Sequence, residues 1–495
     1  MLMQSSLSFG TSRKLSLAAV AAGALVVLLF GGGFVMRPSS GGGQTAFRSP
    51  RQIDVTDIAL PPGYRIEPIA TGLTFPTGVA FDSEGRPCVT ESGYAYGEVW
   101  TTPRLLRINL NGSTSVIARG GRNSPWNGVT YHGGAFYVAE GGVLEGGRIL
   151  RITPGGGKSV LVRGLPSFCD HHTNGPVVGP DGWIYFGQGT ATNSAVVGTD
   201  NAKFGWLKRH PEFHDIPARD IVLTGKNYET RERGRERVLT GAFLPYGTPS
   251  QPGQIIRGGV PASGAIMRVP PGGGAPQLVG WGFRNPFGLA FSPAGELYAT
   301  DNGFDDRGSR PIFGAGDLLW KVRRGAWHGW PDFSGDMPVA QNHFSVPGKA
   351  RPEFVLAGHP QTPPRPAAVF GVHSSADGFD FSRSGAFGHR GEAFVAIFGD
   401  QAPGTGKVVN AVGFKVVRVN VRTGEVEDFA VNKGRINAPA SALKRGGLER
   451  PIAARFDPSG RALYVVDFGV LLMDSKGAHP KEGTGVLLRI TRSGE

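Results

Sequence analysis

The chain has 495 residues with 78 Gly and 38 Pro, 40% hydrophobic and only 18% charged, too apolar and too sparsely charged for a disordered chain and lacking the Gly period of a collagen. Its formal net charge of +13 falls to about +10 when Arg13, Lys14 and Arg37 of an acid-free N-terminal segment are set aside, which still suits a membrane surface or an anionic ligand. No run of Lys and Arg interleaved with aromatics occurs, so no nucleic-acid partner is expected.

In chain order, residues 1–14 form a basic n-region ending in Arg13-Lys14, expected on the cytoplasmic side. Residues 15–36, Leu15 to Met36, are apolar and uncharged, long enough to cross a bilayer. No small-x-small cleavage site follows, so a retained transmembrane anchor is expected in preference to a cleaved signal segment. Residues 37–60 read as a Gly/Ser-rich linker. The rest, 61–495, is then expected outside the cytoplasm, periplasmic or extracellular. The two cysteines, Cys88 and Cys169, read as small buried residues, and no Cys-x-x-Cys-His site for covalent haem is present.

Six segments from 78 onward share one pattern of strand, Gly turn, strand, centred on Gly85, Gly134, Gly182, Gly295, Gly391 and Gly460. Each is followed by an apolar strand with one basic residue, respectively Arg107, Arg151, Arg268, Lys321, Arg418 and Arg489, and most by a fourth apolar strand leading into a Gly-rich loop. Six four-stranded units predict an all-β fold, a six-bladed β-propeller spanning 61–495. The sixth unit ends without a fourth strand, and the orphan strand Tyr64 to Gly72 is expected to close the ring. The distance from hairpin Gly to basic residue is 17–29 residues in five units but 86 in the third, so residues about 190–262 read as an insertion.

Loops from one unit's outer strand to the next unit's innermost strand all open at one end of the ring. In that series stand Asp170-His171-His172, Phe283-Arg284-Asn285-Pro286, His373 and Arg450. A near-neutral His can take a proton, and guanidinium groups hold carboxylates or steady an oxyanion. Adjacent His171 and His172 on an extended segment point to opposite faces, which is no zinc pattern.

Asp170-His171-His172 before Gly179-Pro180-Asp181, then Phe283-Arg284-Asn285-Pro286, then Gly329-Trp330-Pro331, together resemble the pyrroloquinoline quinone (PQQ)-dependent soluble aldose and L-sorbosone dehydrogenases, over nearly all of 61–491. The resemblance implies PQQ and Ca2+ as cofactors and a small sugar as substrate, oxidised from aldose to lactone or from sugar aldehyde to acid. A histidine would act as general base, with hydride passing to the quinone, and a quinone or a separate cytochrome would serve as external electron acceptor. By the same resemblance His171 is the catalytic base, with His172 its rival because one extra residue precedes Gly175. Arg284, Asn285 and Arg450 contact the quinone, Lys407 is the best match to the cofactor lysine with Lys415 next, and the carbonyls of Gly329, Trp330 and Pro331 bind calcium. The family's soluble glucose enzymes carry a second arginine where this chain has Leu448.

Two other functions fit a six-bladed propeller. A calcium-dependent lactonase would use axial carboxylates, for which Glu91, Glu140, Asp301 and Asp467, expected to end innermost strands, are the candidates. A non-catalytic interaction propeller tethered to the membrane would need no site at all.

Overall fold

The computed structural model describes residues 47, 49–168, 170–203, 205–230, 237–401, 411–474 and 477–493. The apolar run at 15–36, Cys169 and Lys407 lie outside the described residues. Among those described, no helix is long and apolar enough to cross a membrane.

Six sheets of four core strands stand around one axis. The innermost strands are Pro76–Phe81, Trp126–His132, Thr173–Val178, Pro286–Phe291, Ala376–Phe381 and Pro451–Phe456, heading blades 1 to 6. Five blades take their four strands in sequence order. In blade 6 the outer position is filled by Tyr64–Leu73 from the start of the domain, antiparallel to Gly485–Arg492, so the orphan strand closes the ring as expected. Blade 5 gains a fifth strand, Ile58–Ala59, on its outer edge. All six hairpin glycines have φ between +68 and +86, a turn geometry that strongly favours glycine.

Period-2 alternation explains the core. In the second strand of blade 2, Phe136 and Val138 pack on blade 1 while Ala135, Tyr137 and Ala139 pack on blade 3, so the strand is buried throughout. The same division recurs around the ring, one apolar cluster per interface between blades. Each fully buried Val, Leu, Ile or Phe in these layers contributes roughly 1.5–3 kcal/mol.

At the axis the innermost strands almost touch. A Cβ on Gly78 would come within 2.8 Å of the Gly128 Cα, and one on Gly128 would overlap the Gly175 carbonyl oxygen. The repeated inner glycine is therefore a packing requirement, and it leaves an axial cavity of only about 50 Å³.

The insertion after Gln188 is a packed lobe. It carries two short helices, Thr199–Lys203 and Trp206–Arg209, and the ladders Ile221–Val222 with Ile255–Ile256 and Asn227–Thr230 with Val238–Gly241. Most of the charge run, 231–236, lies outside the described residues. The lobe docks on blade 4, on its strand 3–4 excursion through Leu223 bridging Leu356 and on its strand 2–3 loop through Thr230 Oγ1 bonding Ser309 Oγ.

Candidate active site

In an up-and-down blade the strand 2–3 loop opens at the same end as the loop entering the next blade. The mouth is therefore lined by two loop series, and strand-end carboxylates tie them together. Asp301 ends the second strand of blade 4, and its oxygens accept the backbone N–H of Arg284 (3.1 Å) and Asn285 (2.7 Å) as well as Trp320 Nε1 (3.1 Å). Asp467 does the same for Glu449 and Arg450 in blade 6, at 2.7 and 3.0 Å. Glu91 accepts Thr74 N and pairs with Arg104, and Glu140 accepts Asn123 Nδ2 and Trp126 Nε1. These four residues end second strands, not innermost ones, and each braces the loop that enters its own blade. Each follows its hairpin glycine, Gly85, Gly134, Gly295 or Gly460, and so ends the outgoing strand of the hairpin rather than the innermost one.

His171 and His172 are both buried and turn apart as their extended backbone requires. His171 Nδ1 lies 2.9 Å from the Thr190 carbonyl and 3.1 Å from Thr190 Oγ1. The Nδ1–H therefore donates to Thr190, leaving Nε2 as the acceptor nitrogen, 3.7 Å from Asp170 Oδ2. His172 packs its ring against Tyr94, centroids 6.1 Å apart, on the blade 1 side. Burial pulls both imidazoles down, His171 to about 3 and His172 to about 4, so both are neutral near pH 7.

Beside His171 runs a chain of ion pairs. Arg307 bonds Asp170, Asp200 Oδ2 (2.8 Å) and Asp305 Oδ2 (2.8 Å). Arg284 Nη2 reaches the same Asp305 oxygen at 2.8 Å, while its Nε bonds Asn193 and its Nη1 has only a long 3.4 Å contact with the Asn302 carbonyl. His373 Nδ1 takes the other oxygen of Asp305 at 3.1 Å. Burial opposes ionisation of Asp305, yet Arg284, Arg307 and His373 hold it well below the usual carboxylate range. Asn285 bridges Asn174 and Asn302 at 2.8 Å each. The predicted His171, Arg284 and Asn285 are thus brought together.

Arg450 and the Gly329-Trp330-Pro331 turn have other work. Arg450 is wholly buried, with Nη1 on the carbonyls of Gly399 (3.0 Å) and Asp400 (3.1 Å) and its guanidinium 5.0 Å from the rings of Phe398 and Phe414. Burial lowers it to about 10, still a cation at neutral pH. It fastens the loop after blade 5's second strand. In the turn, Gly329 O accepts Asp332 N and Phe333 N, Trp330 O accepts Trp327 Nε1, and Pro331 O accepts Arg310 Nη1 at 2.9 Å. A buried guanidinium already supplies the positive charge there, so these carbonyls do not fit the expected calcium. Lys415 lies on the third strand of blade 5, paired with Asp428 at 2.6 Å.

Arg307, Asp305 and Tyr96 escaped the sequence reading because they stand on strand 2–3 loops, whereas only the interblade series was followed. The run Phe304-Asp305-Asp306-Arg307 after a strand-ending Asp301 was the available signal. Tyr96 projects from the Tyr94–Ala95/Val99–Trp100 hairpin, and burial of its hydroxyl, with Asp170 adding to it, pushes its pKa up although part of the residue stays exposed.

Three buried polar atoms of this region have no hydrogen-bond partner among the described residues: His172 Nε2, His373 Nε2 and Asp200 Oδ1. Since such atoms are normally satisfied, the two imidazole nitrogens, as N–H donors, fit with Arg284 a ligand rich in oxygen, as a tricarboxylate quinone is, whereas Asp200 Oδ1 is an acceptor that calls for a donor. A separate cavity of about 320 Å³ opens at the hairpin end of the ring. There Arg383 and Arg455 face Asp380, the former at 2.9 Å.

No family model matches the chain. It is 26% identical to quinoprotein glucose dehydrogenase B of Acinetobacter calcoaceticus over 175 residues, 35% of this chain and 29% of that protein. The match thus spans under a third of the relative's length. Among solved structures, the holo pyranose dehydrogenase PQQ domain of Coprinopsis cinerea aligns with TM-score 0.52 and 16% identity over 90% of this chain and 98% of that one. The apo soluble aldose sugar dehydrogenase of Escherichia coli aligns with TM-score 0.52 and 14% identity over 87% and 99%. A calcium structure of family AA12 from Trichoderma reesei aligns with TM-score 0.52 and 16% identity over 89% and 98%. These likenesses show a shared propeller fold, and the resemblance read from the motifs agrees with the relative found by sequence.

Proposed function

We propose that this chain is a PQQ-dependent sugar dehydrogenase, oxidising an aldose to its lactone or a sugar aldehyde to its acid and passing electrons to an external quinone or cytochrome. The observation that carries the reading is the His171 ring. Its Nδ1–H is committed to Thr190 and its Nε2 is left to accept a proton beside the Asp170–Arg307–Asp305–Arg284 chain. The sequence likeness to a quinoprotein glucose dehydrogenase supports the same class.

When bound, the quinone supplies an electron-poor carbonyl that accepts hydride. His171 Nε2 takes the proton of the sugar hydroxyl, and Asp170 Oδ2, 3.7 Å away, stabilises the imidazolium that forms. Arg284, whose Nη1 has only a long contact, is placed to hold a ligand carboxylate, while Arg307 neutralises Asp170, Asp200 and Asp305. Asn285 offers an amide fixed on both sides by Asn174 and Asn302. The lactonase reading loses its support, because Glu91, Glu140, Asp301 and Asp467 are spent on their own blades' loops.

Adding PQQ to the purified protein, with and without calcium, should develop a bound-quinone spectrum and sugar-dependent dye reduction. If no aldose or sugar aldehyde in a broad panel reduces the dye, the reading fails. Arg284→Lys keeps the charge but loses the planar fork. It should weaken PQQ binding by about one to two orders of magnitude, roughly 1.5–3 kcal/mol for a charged hydrogen bond. Titration showing unchanged affinity would remove Arg284 from the cofactor site.

The apolar run 15–36 after Arg13-Lys14 supports a membrane-anchored enzyme with its propeller outside the cytoplasm. In fractionated cells the protein should stay in the membrane through carbonate extraction. Recovery of a soluble form beginning near residue 38 would mean cleavage instead.

A further inference from the structure

His373 stands between Ala368–Val372, the outer strand of blade 4, and Ala376–Phe381 of blade 5. Three observations set it apart. Its Nδ1 is held by Asp305 Oδ1 at 3.1 Å, while its Nε2 is buried and has no partner among the described residues. Its backbone is left-handed, φ +57, as is that of Ser375 at +52, a conformation uncommon outside glycine. The loop is forced into this shape by buried Asp317, whose Oδ2 accepts Ser374 Oγ at 2.9 Å and Ala376 N at 2.8 Å. Backbone strain that the surroundings enforce clusters at functional sites.

His373 is also joined to His171. The path runs from His171 Nε2 to Asp170, from Asp170 to Arg307, from Arg307 Nε to Asp305 at 2.8 Å, and from Asp305 to His373. The two imidazoles end one chain of alternating charges, and their environments differ. Around His171, burial with Arg284 and Arg307 outweighs Asp170 and Asp305 and drives the ring to about 3. Around His373, burial is outweighed by the hydrogen bond and charge of Asp305, with Asp317 and Asp306 adding to it, so the ring is held above its ordinary value. Titratable groups pushed apart in one site are the pattern of an acid and a base.

We propose that His373 is the acid partner of His171, its Nε2–H donating to the oxygen of the electron-accepting carbonyl. The inference rests on the dehydrogenase reading above. The balance is complete: the substrate C–O–H loses its proton to His171 Nε2 and its hydride to the acceptor, becoming C=O. The acceptor gains that hydride and the proton from His373. His171 then returns its proton to solvent and His373 regains one.

Two measurements test this. In cofactor-free protein with labelled histidines, NMR should find His373 titrating above the ordinary value of about 6.5, and Asp305→Asn should bring it down. In PQQ-loaded protein under rapid mixing, the rate of bound-quinone reduction by sugar should fall as pH rises through the His373 titration, because the donor form is lost. His373→Gln should abolish that limb and slow reduction about 10²-fold. If His373→Gln does not fold, Asp305→Asn should instead move the limb to lower pH. A limb that stays in place in the variants, or a His373 titrating below the ordinary value, overturns the assignment while leaving the dehydrogenase standing. Wild-type protein that binds PQQ yet is reduced by no sugar sinks the function itself.

Discussion

Replacing His171 by glutamine should cut turnover by about 10²–10⁴-fold with little change in PQQ affinity, because it removes a proton acceptor and leaves the quinone contacts in place. His172→Gln should be mild, since that ring packs on Tyr94 across the backbone from the Asp170–Arg307 chain. The pH dependence carries a second signature. His171 is lowered to about 3, so its base form is fully present at neutral pH and is lost only as pH falls towards that value. The acid side of the rate profile should therefore lack a His171 step between pH 5 and 8. Steady-state kinetics on both variants decide the matter. Reversed effects would make His172 the base, and two mild effects would end the mechanism.

Arg310→Met should destabilise the protein by about 3–5 kcal/mol, the range for breaking one side of a buried ion pair. Arg310 and Asp332 are 1% and 0% exposed and 2.8 Å apart. Arg310 also bonds Ser194 O, Pro331 O and Glu353 O, so it joins the inserted lobe, the Gly329–Pro331 turn and the excursion of blade 4. Swapping the pair for apolar residues should not restore stability. Asp332 accepts the backbone N–H of Val355 and Leu356, and these would be left buried without an acceptor. Denaturant unfolding monitored by tryptophan fluorescence reads the change. A loss below about 1 kcal/mol would show that the surrounding carbonyls and water replace the guanidinium.

The propeller was legible because it is a repeat: six hairpin glycines and six basic third strands fixed the blade count, and the missing fourth strand of the last unit pointed to Tyr64–Leu73. The inner glycines were passed over, because their reason, contact between neighbouring innermost strands, needs three dimensions. His171, Arg284 and Asn285, which the fold brings together, were picked out through short motifs on one loop series. Arg307 was not, since its partners Asp170 and Asp200 are more than 100 residues away in sequence and no spacing rule links such loops; Asp305 was missed with it, on the same strand 2–3 loop. The calcium turn misled for a related reason. Gly329-Trp330-Pro331 has the right backbone, but the guanidinium that occupies its carbonyls comes from Arg310, and sequence order alone does not aim that side chain at Pro331.

The closure of blade 6 ties the two ends of the domain into one sheet. Tyr64 pairs with Arg492 and Leu73 with Gly485, contacts among the most distant in sequence that the domain contains, and Arg51 adds bonds to Asp467 Oδ2 and the Thr484 and Gly447 carbonyls. Such pairings carry the largest loop-closure entropy and reward the chain last. The N-terminal strand therefore leaves the ribosome first and finds its partner only when nearly all of the domain has followed it. Until then Tyr64–Leu73 itself offers unpaired hydrogen-bonding edges to other chains.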